Sequence, residues 1–197
     1  THSIHTVQAL CTRAVLMHQG TLIRDGAVRE VAAAYQAIIK QDPKNVRALY
    51  GLGNVYAMKG DWAKAGSTFD EVIRLNPQNA AAYIQSGRVL LARKQEKEAL
   101  ARFEKALSIQ PGAVEPMQYI ISSYMAGGET QKAIDRVEAQ LKASPNNPFF
   151  YNMLGALYET KKDKATAEMY YRKSIEASPN APDLYVSLAS FYVRQNM

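Results

Sequence analysis

Three histidines, His2, His5 and His18, and a single cysteine, Cys11, are the side chains of this 197-residue chain best suited to metal ligation or nucleophilic attack. The histidines are separated by three and thirteen residues, and neither spacing matches a standard metal site. Solvated or core histidines are therefore expected, and no metal. Cys11 has no second cysteine for an internal disulfide, and no His/Asp grouping of catalytic type accompanies it. It reads as a small buried hydrophobe. The phosphate-cradling pattern G-x-x-x-x-G-K-[ST] does not occur, so nothing in the chain is shaped to hold a nucleotide. The sequence thus predicts a protein that is not an enzyme and needs no cofactor.

Composition narrows the class further. At 47% hydrophobic and 21% charged residues the chain can bury a substantial core. The formal charge is +6, but its lysines and arginines are scattered along the chain instead of forming a block, which predicts a solvated basic surface and no nucleic-acid binding. The longest apolar stretches are too short to span a bilayer, so direct membrane insertion is not expected. A lone cysteine suits a reducing compartment, and the expected location is cytoplasmic. Periplasmic or membrane-associated placement as part of a longer chain is the alternative.

The elements that would position functional side chains are announced by a repeated phrase. "KQDPKN" runs from Lys40 to Asn45 and "RLNPQN" from Arg74 to Asn79, and Pro43, Pro77, Pro111, Pro145 and Pro179 stand 34 residues apart. Blocks opening at Val46, Ala80, Val114 and Pro148 share this register, and Pro182 opens a partial fifth. In the first block Leu49, Leu52, Gly53 and Tyr56 recur at helical spacing, then Ala65, Phe69 and Val72 do so after a Gly-Asp break. That pattern is a helix, a turn and a second helix. Each proline removes a backbone N–H and restricts the residue before it, so the second helix of each unit should end there.

Large–Leu–Gly–Tyr, then Ala–aromatic–Ala, then Pro at a 34-residue period resembles the tetratricopeptide repeat. The resemblance covers at least residues 46–197. It implies an all-α fold, a superhelical solenoid of antiparallel helix pairs, with units at 46–79, 80–113, 114–147 and 148–181 and a partial repeat or terminal helix at 182–197. Gly53, Gly87 and Gly155 would let paired helices approach, Ala65, Ala99, Ala133 and Ala167 would keep the facing surface small, and aromatics such as Phe69, Phe103 and Tyr171 would fill the space between helices. A hairpin cannot hide its apolar face alone, so stacking supplies the core.

The third block departs from the pattern: Ile121 stands where glycine is expected, Gln140 where a small residue is usual, and "AGGE" replaces the usual turn. Its helices are expected to sit farther apart or to cross at another angle. Residues 27–45 fit a second helix and joint, with Val31, Tyr35 and Ile38 on one face. Residues 1–45 are therefore read as a degenerate N-terminal repeat or a fused remnant. Residues 1–35 also resemble the tail of ATP-binding subunits of polysaccharide-exporting ABC transporters, where an (S/T)H pair carries the switch histidine, here His2. A β-hairpin over 14–25 would follow from that resemblance, and a helical hairpin from the repeat. In the last segment Tyr185, Leu188 and Tyr192 are expected to pack backwards, leaving Leu184 and Phe191 uncovered. Such an open end predicts either continuation of the natural chain beyond Met197 or homo-oligomerisation through the solenoid ends.

In the family that the chain resembles, the first helix of each unit lines a concave groove. The corresponding residues are Arg47, Tyr50 and Asn54, then Gln85 and Arg88, then Gln118, Tyr119 and Ser122, then Asn152 and Met153. Amides that bond a peptide backbone, with aromatic and Met surfaces for its side chains, suit an extended protein segment. Arg47 and Arg88 favour anions early, whereas Glu115, Glu159 and Asp183 make the later half acidic. Chaperone-binding members hold a terminal carboxylate with a Lys/Asn clamp. Only Asn54 matches that set and Glu115 opposes it, so that ligand is disfavoured. The resulting expectation is a non-catalytic scaffold that binds a protein or peptide partner. An accessory piece of a bacterial polysaccharide export or biosynthesis system and a self-assembling scaffold are the alternatives.

Overall fold

The computed structural model describes residues 25–195, and among these every regular element is an α-helix. In chain order they are α1 (Asp25–Gln41), α2 (Val46–Met58), α3 (Trp62–Leu75), α4 (Ala80–Ala92), α5 (Glu96–Ile109), α6 (Val114–Ala126), α7 (Thr130–Ala143), α8 (Pro148–Thr160), α9 (Lys164–Ala177) and α10 (Pro182–Gln195). Among the described residues no helix is long and apolar enough to cross a membrane. The described chain divides into two compact units, one ending at Lys105 and the other beginning at Ala106. The N-terminal histidines, Cys11 and the 14–25 hairpin question lie outside the described residues, apart from Asp25 at the start of α1.

The repeated phrase does two jobs. The second helices end two residues before a proline, at Leu75, Ile109, Ala143 and Ala177, and α1 does the same before Pro43. The asparagine that closes the phrase then caps the next helix, because its side-chain oxygen can accept from N–H groups that lack a partner in the first turn. Asn45 Oδ1 accepts from Ala48 N at 3.0 Å, Asn79 Oδ1 from Ala82 N at 3.1 Å, and Asn147 Oδ1 from Phe149 N at 3.0 Å. Asp61 and Asp163 cap α3 and α9 in the same way. The short turn inside each hairpin needs one residue in the left-handed region, and Gly60, Lys94, Gly128 and Lys162, 34 residues apart, all adopt it. The "AGGE" turn therefore follows the same path as its neighbours.

Within each unit the core is built where a first helix meets its second. A Cβ built on Gly87 would lie 2.5 Å from Phe103 Cε1, closer than real carbons approach, and Gly53 and Gly155 meet Phe69 and Tyr171 in the same way. Phe69, Phe103, Ala65, Ala99 and Ala167 have no solvent exposure. In α1, Val28 and Val31 are buried with Val55 of α2, and Tyr35 packs against this cluster, so the helix joins the first unit as a second helix of the repeat would.

The third hairpin, α6 and α7, makes the same joint from different parts. Val137 occupies the place of Phe69, Phe103 and Tyr171, and Ile121 the place of the glycines, so bulk has moved from the second helix to the first. Neither helix has a side-chain cap: Ala113 and Glu129 stand at the cap positions without such a bond. Buried Gln140 compensates at the joint, donating from Nε2 to the Pro111 carbonyl at 2.7 Å and accepting at Oε1 from Arg136 at 2.9 Å. Ile121→Gly is expected to lower stability by about 2–3 kcal/mol through lost packing and helix propensity. Val137→Phe alone should cost about 1–3 kcal/mol by overpacking. The double variant, which recreates the glycine–aromatic pair, should be more stable in urea titration than either single variant, whereas simple additivity would show that the two residues do not exchange volume.

The last helix packs differently from the sequence-based expectation. Leu184 and Phe191 are 1% and 0% exposed, whereas Tyr185 is 48% exposed. Leu184 and Phe191 take the places of Phe150 and Leu157, the positions by which a first helix meets the preceding hairpin. Tyr185 takes the place of Leu49, Tyr83 and Met117, which are buried, and of Tyr151, which is half-buried; all four lie in hairpins that have a second helix. No second helix follows α10 among the described residues. Leu188 and Tyr192 do pack backwards as expected, against the cluster of Ala167, Tyr171 and Phe191.

Candidate functional site

First helices lie side by side within each unit: α2 beside α4, and α8 beside α10. Residues at the second, fifth, sixth and ninth positions of these helices are left over once packing is satisfied, because the packing stripe uses the intervening places. In the first unit Arg47 and Arg88 are exposed, and Asn54 and Gln85 are half-buried. Arg88 Nη1 donates to Gln85 Oε1 at 3.4 Å, a long bond that brings these two candidates together on one helix. Tyr50 differs from the others: its ring meets Phe69 edge-on at 5.7 Å and is shared between two core clusters, so packing already claims much of it. The first helices of this unit, α2 and α4, carry two arginines and no carboxylate.

In the second unit Gln118 and Ser122 are exposed on α6, Tyr119 is half-buried beside them, and Asn152 and Met153 are half-buried on α8. Asn152 stands out because its Oδ1 is buried and has no hydrogen-bond partner. An amide oxygen removed from water without a donor costs about 1–3 kcal/mol. Phe149, one turn earlier on the same helix, is 41% exposed.

Glu159 is not available to a ligand in the way its sequence position suggests. Its carboxylate accepts from Arg194 Nε at 2.8 Å and Nη2 at 2.9 Å, and from the Tyr171 hydroxyl at 3.1 Å. The Arg194 hydrogen bonds outweigh burial and hold the Glu159 carboxyl below the usual range, while burial and the bond to Glu159 push the Tyr171 hydroxyl up. The periodicity conceals this pair because its partners lie 35 residues apart, one repeat plus one residue. A second network joins the same elements: Tyr192 donates to Glu168 at 2.7 Å, and Arg172 bonds both. Both networks tie α10 to the α8–α9 hairpin.

A pH dependence follows for that attachment. The folded-state pKa of Glu159 is depressed, so its contribution is complete above the unfolded value near about 4.3 and is lost as pH falls through the lower folded value. Amide protection in residues 184–195, corrected for intrinsic exchange, should stay constant from neutral pH to about 5 and decline below about 4. Glu159→Gln should flatten much of that decline and weaken protection at neutral pH. Identical profiles for the two proteins would mean that the ion pair does not hold the helix.

Among the described residues no group of three or more His, Cys, Asp or Glu side chains could hold a metal. The site is therefore a polar and aromatic surface carried by tandem helical hairpins, and the fold places the protein among repeat proteins of the helix–turn–helix class. Models described as tetratricopeptide repeat match residues 22–80 and 60–114, 90–157 and 150–181, and the chain belongs to that family. No curated protein matches the chain by sequence. A crystal structure of MamA is similar with a TM-score of 0.59 at 25% identity, covering 78% of this chain and 90% of that one. TTC0263, a thermophilic TPR protein of Thermus thermophilus, has a TM-score of 0.59 at 21% identity, covering 95% and 99%. YrrB, described as a TPR protein with an unusual peptide-binding site, has a TM-score of 0.56 at 20% identity, covering 93% and 89%.

Proposed function

We propose that this chain is a non-catalytic interaction module whose first-helix faces hold an extended segment of a protein partner. The observation that supports the reading is the set of polar side chains that packing leaves on the first helices, with Arg47, Arg88, Gln118 and Ser122 exposed. Gln118 and Ser122 on α6, and Asn54 and Gln85 in the first unit, offer amide and hydroxyl groups to a peptide backbone. Tyr119 and Met153 supply polarisable apolar surface for its side chains. Arg47 and Arg88 give the first unit a preference for acidic residues. The description of YrrB as a peptide-binding TPR protein agrees with this use of the fold.

Arg88→Glu and Tyr119→Ala test the two units separately. Each is expected to weaken partner binding by about tenfold, roughly 1.4 kcal/mol, with helical circular dichroism unchanged. The check is a pull-down with intact chain and the double variant, quantified by mass spectrometry, followed by titration of the partner segment that the double variant loses. Unchanged affinity in both single variants would remove these faces as the binding surface.

A further inference from the structure

We propose that the hairpin-turn edge of the first unit is a peripheral membrane contact, in which Trp62 and Met58 enter the headgroup region while Lys59, Arg93 and Lys94 meet anionic phospholipid. This surface is separate from the first-helix faces, and the inference does not depend on what those faces bind. No helix crosses the bilayer in this arrangement, and none is needed.

Apolar exposure at one turn is the first observation. Met58 ends α2 and Trp62 opens α3, and they are 37% and 38% exposed. Only residues 59–61 separate them, and a Cβ on Gly60 in that turn would meet nothing within 4 Å. The repeat does not require large apolar residues here: the same two places hold Ala92 and Glu96, Ala126 and Thr130, and Thr160 and Lys164 in the other hairpins. An indole, apolar in its body and able to donate a hydrogen bond from its N–H, suits the boundary between headgroups and acyl chains.

The second observation places a cation beside the indole. Arg93 follows α4, and its Nη1 lies 3.8 Å from the position a Cβ on Gly66 would take. Gly66 is four residues beyond Trp62 on α3, a separation of about 5–6 Å between Cβ positions. The guanidinium therefore lies within a side chain's reach of Trp62. Lys59 stands in the same turn as Gly60, and Lys94, next to Arg93, holds the left-handed position of the following turn.

Charge balance is the third. Lys59, Arg93 and Lys94 are exposed, and among the described residues none of them has a side-chain hydrogen bond or ion pair. Three carboxylates share the edge. Asp61 is occupied, accepting from Lys64 N at 3.2 Å and pairing with Lys64 Nζ at 3.0 Å. Glu96 also has a partner, and Glu98 is adjoined by Lys97. The edge is thus left with unpaired cations, which an anionic lipid surface attracts. An acidic peptide would meet the same charges, but peptide recognition relies on a groove or a strand edge, whereas these side chains stand at a turn.

The test uses the full chain with vesicles of phosphatidylcholine alone or mixed equally with phosphatidylglycerol. Trp62 is the one tryptophan of the sequence, so its emission reports on this edge directly. With anionic vesicles the emission should shift to the blue and be quenched by brominated acyl chains. Partition should be about tenfold tighter than to phosphatidylcholine, and the difference should shrink in high salt. Arg93→Glu/Lys94→Glu should weaken co-sedimentation about tenfold or more. The charge-matched Lys40→Glu/Lys44→Glu, at the opposite end of α2, should change it by less than about twofold. Trp62→Thr, which installs the residue of the third hairpin, should weaken it about fivefold with helicity kept. Absence of the blue shift, or equal losses in the two charge variants, would overturn the proposal. A Trp62 shift with a glutamate–leucine peptide and none with vesicles would overturn it too, making the edge a protein contact.

Discussion

Phe103→Ala is expected to reduce the stability of the chain by about 3–5 kcal/mol, read as a fall in the urea midpoint at unchanged slope. The side chain is fully buried and its ring edge sits against the backbone of Gly87, where no β-carbon keeps it away. Gly87→Ala approaches the same joint from the other side and should cost about 1–3 kcal/mol, because the added carbon must displace an aromatic ring, not the free end of a flexible chain. The two effects should not add. In Gly87→Ala/Phe103→Ala the new methyl occupies part of the space the ring has left, so the double variant should be about 1 kcal/mol or more better than the sum. Gly66 provides the contrast within the same unit: a Cβ there meets Val89 Cγ1 at an ordinary 3.6 Å. Gly66→Ala should be neutral or stabilising by up to about 1 kcal/mol through helix propensity. A Gly87→Ala protein as stable as Gly66→Ala would show that close approach is not what the repeat glycines provide.

Phe191→Ala is the second large effect, and it should be local. The ring is unexposed, 5.5 Å from Tyr171 and 5.6 Å from Tyr192, and with Leu184 it supplies the apolar anchor of α10. A loss of about 3–5 kcal/mol at α10, which among the described residues packs against the preceding hairpin alone, is enough to release it while the preceding hairpins stay folded. Hydrogen exchange should therefore lose protection across residues 182–195 and keep it in α8. Tyr185→Ala, at a half-exposed position on the same helix, should leave protection almost unchanged. The reverse order, with Tyr185 critical and Phe191 dispensable, would mean that α10 packs in the orientation expected from sequence.

Much of the fold is legible in the residues because the repeat is local. Gly87 and Phe103 meet across one short turn, so a 34-residue period of glycine, alanine and aromatic residues carries the hairpin geometry. The capping role of Asn45, Asn79 and Asn147 is equally local, spanning two or three residues, although proline is the more conspicuous mark of the repeated phrase. The third hairpin is harder to read from a pattern, because Ile121 and Val137 satisfy the joint by exchanging size, and Gln140 supplies by hydrogen bonding what its small counterparts supply by packing. The candidate face is only partly legible. Helical position selects Asn152 and Arg88 as residues off the packing stripe, but it also selects Tyr50, whose ring is long enough to reach back into the core.

By itself, then, the amino-acid sequence determined the helix–turn–helix unit, its register, the residues that join each pair and which first-helix positions lie off the packing stripe, all consequences of contacts within one period. Tertiary structure decided what depends on reach between neighbouring repeats. It turned Leu184 and Phe191 inward and Tyr185 outward, bound Glu159 to Arg194, and left the Asn152 oxygen buried without a donor. The physical reason is that periodicity assigns a residue to a face, whereas the length and charge of side chains on the adjoining helix determine whether that face is satisfied or still open to a ligand.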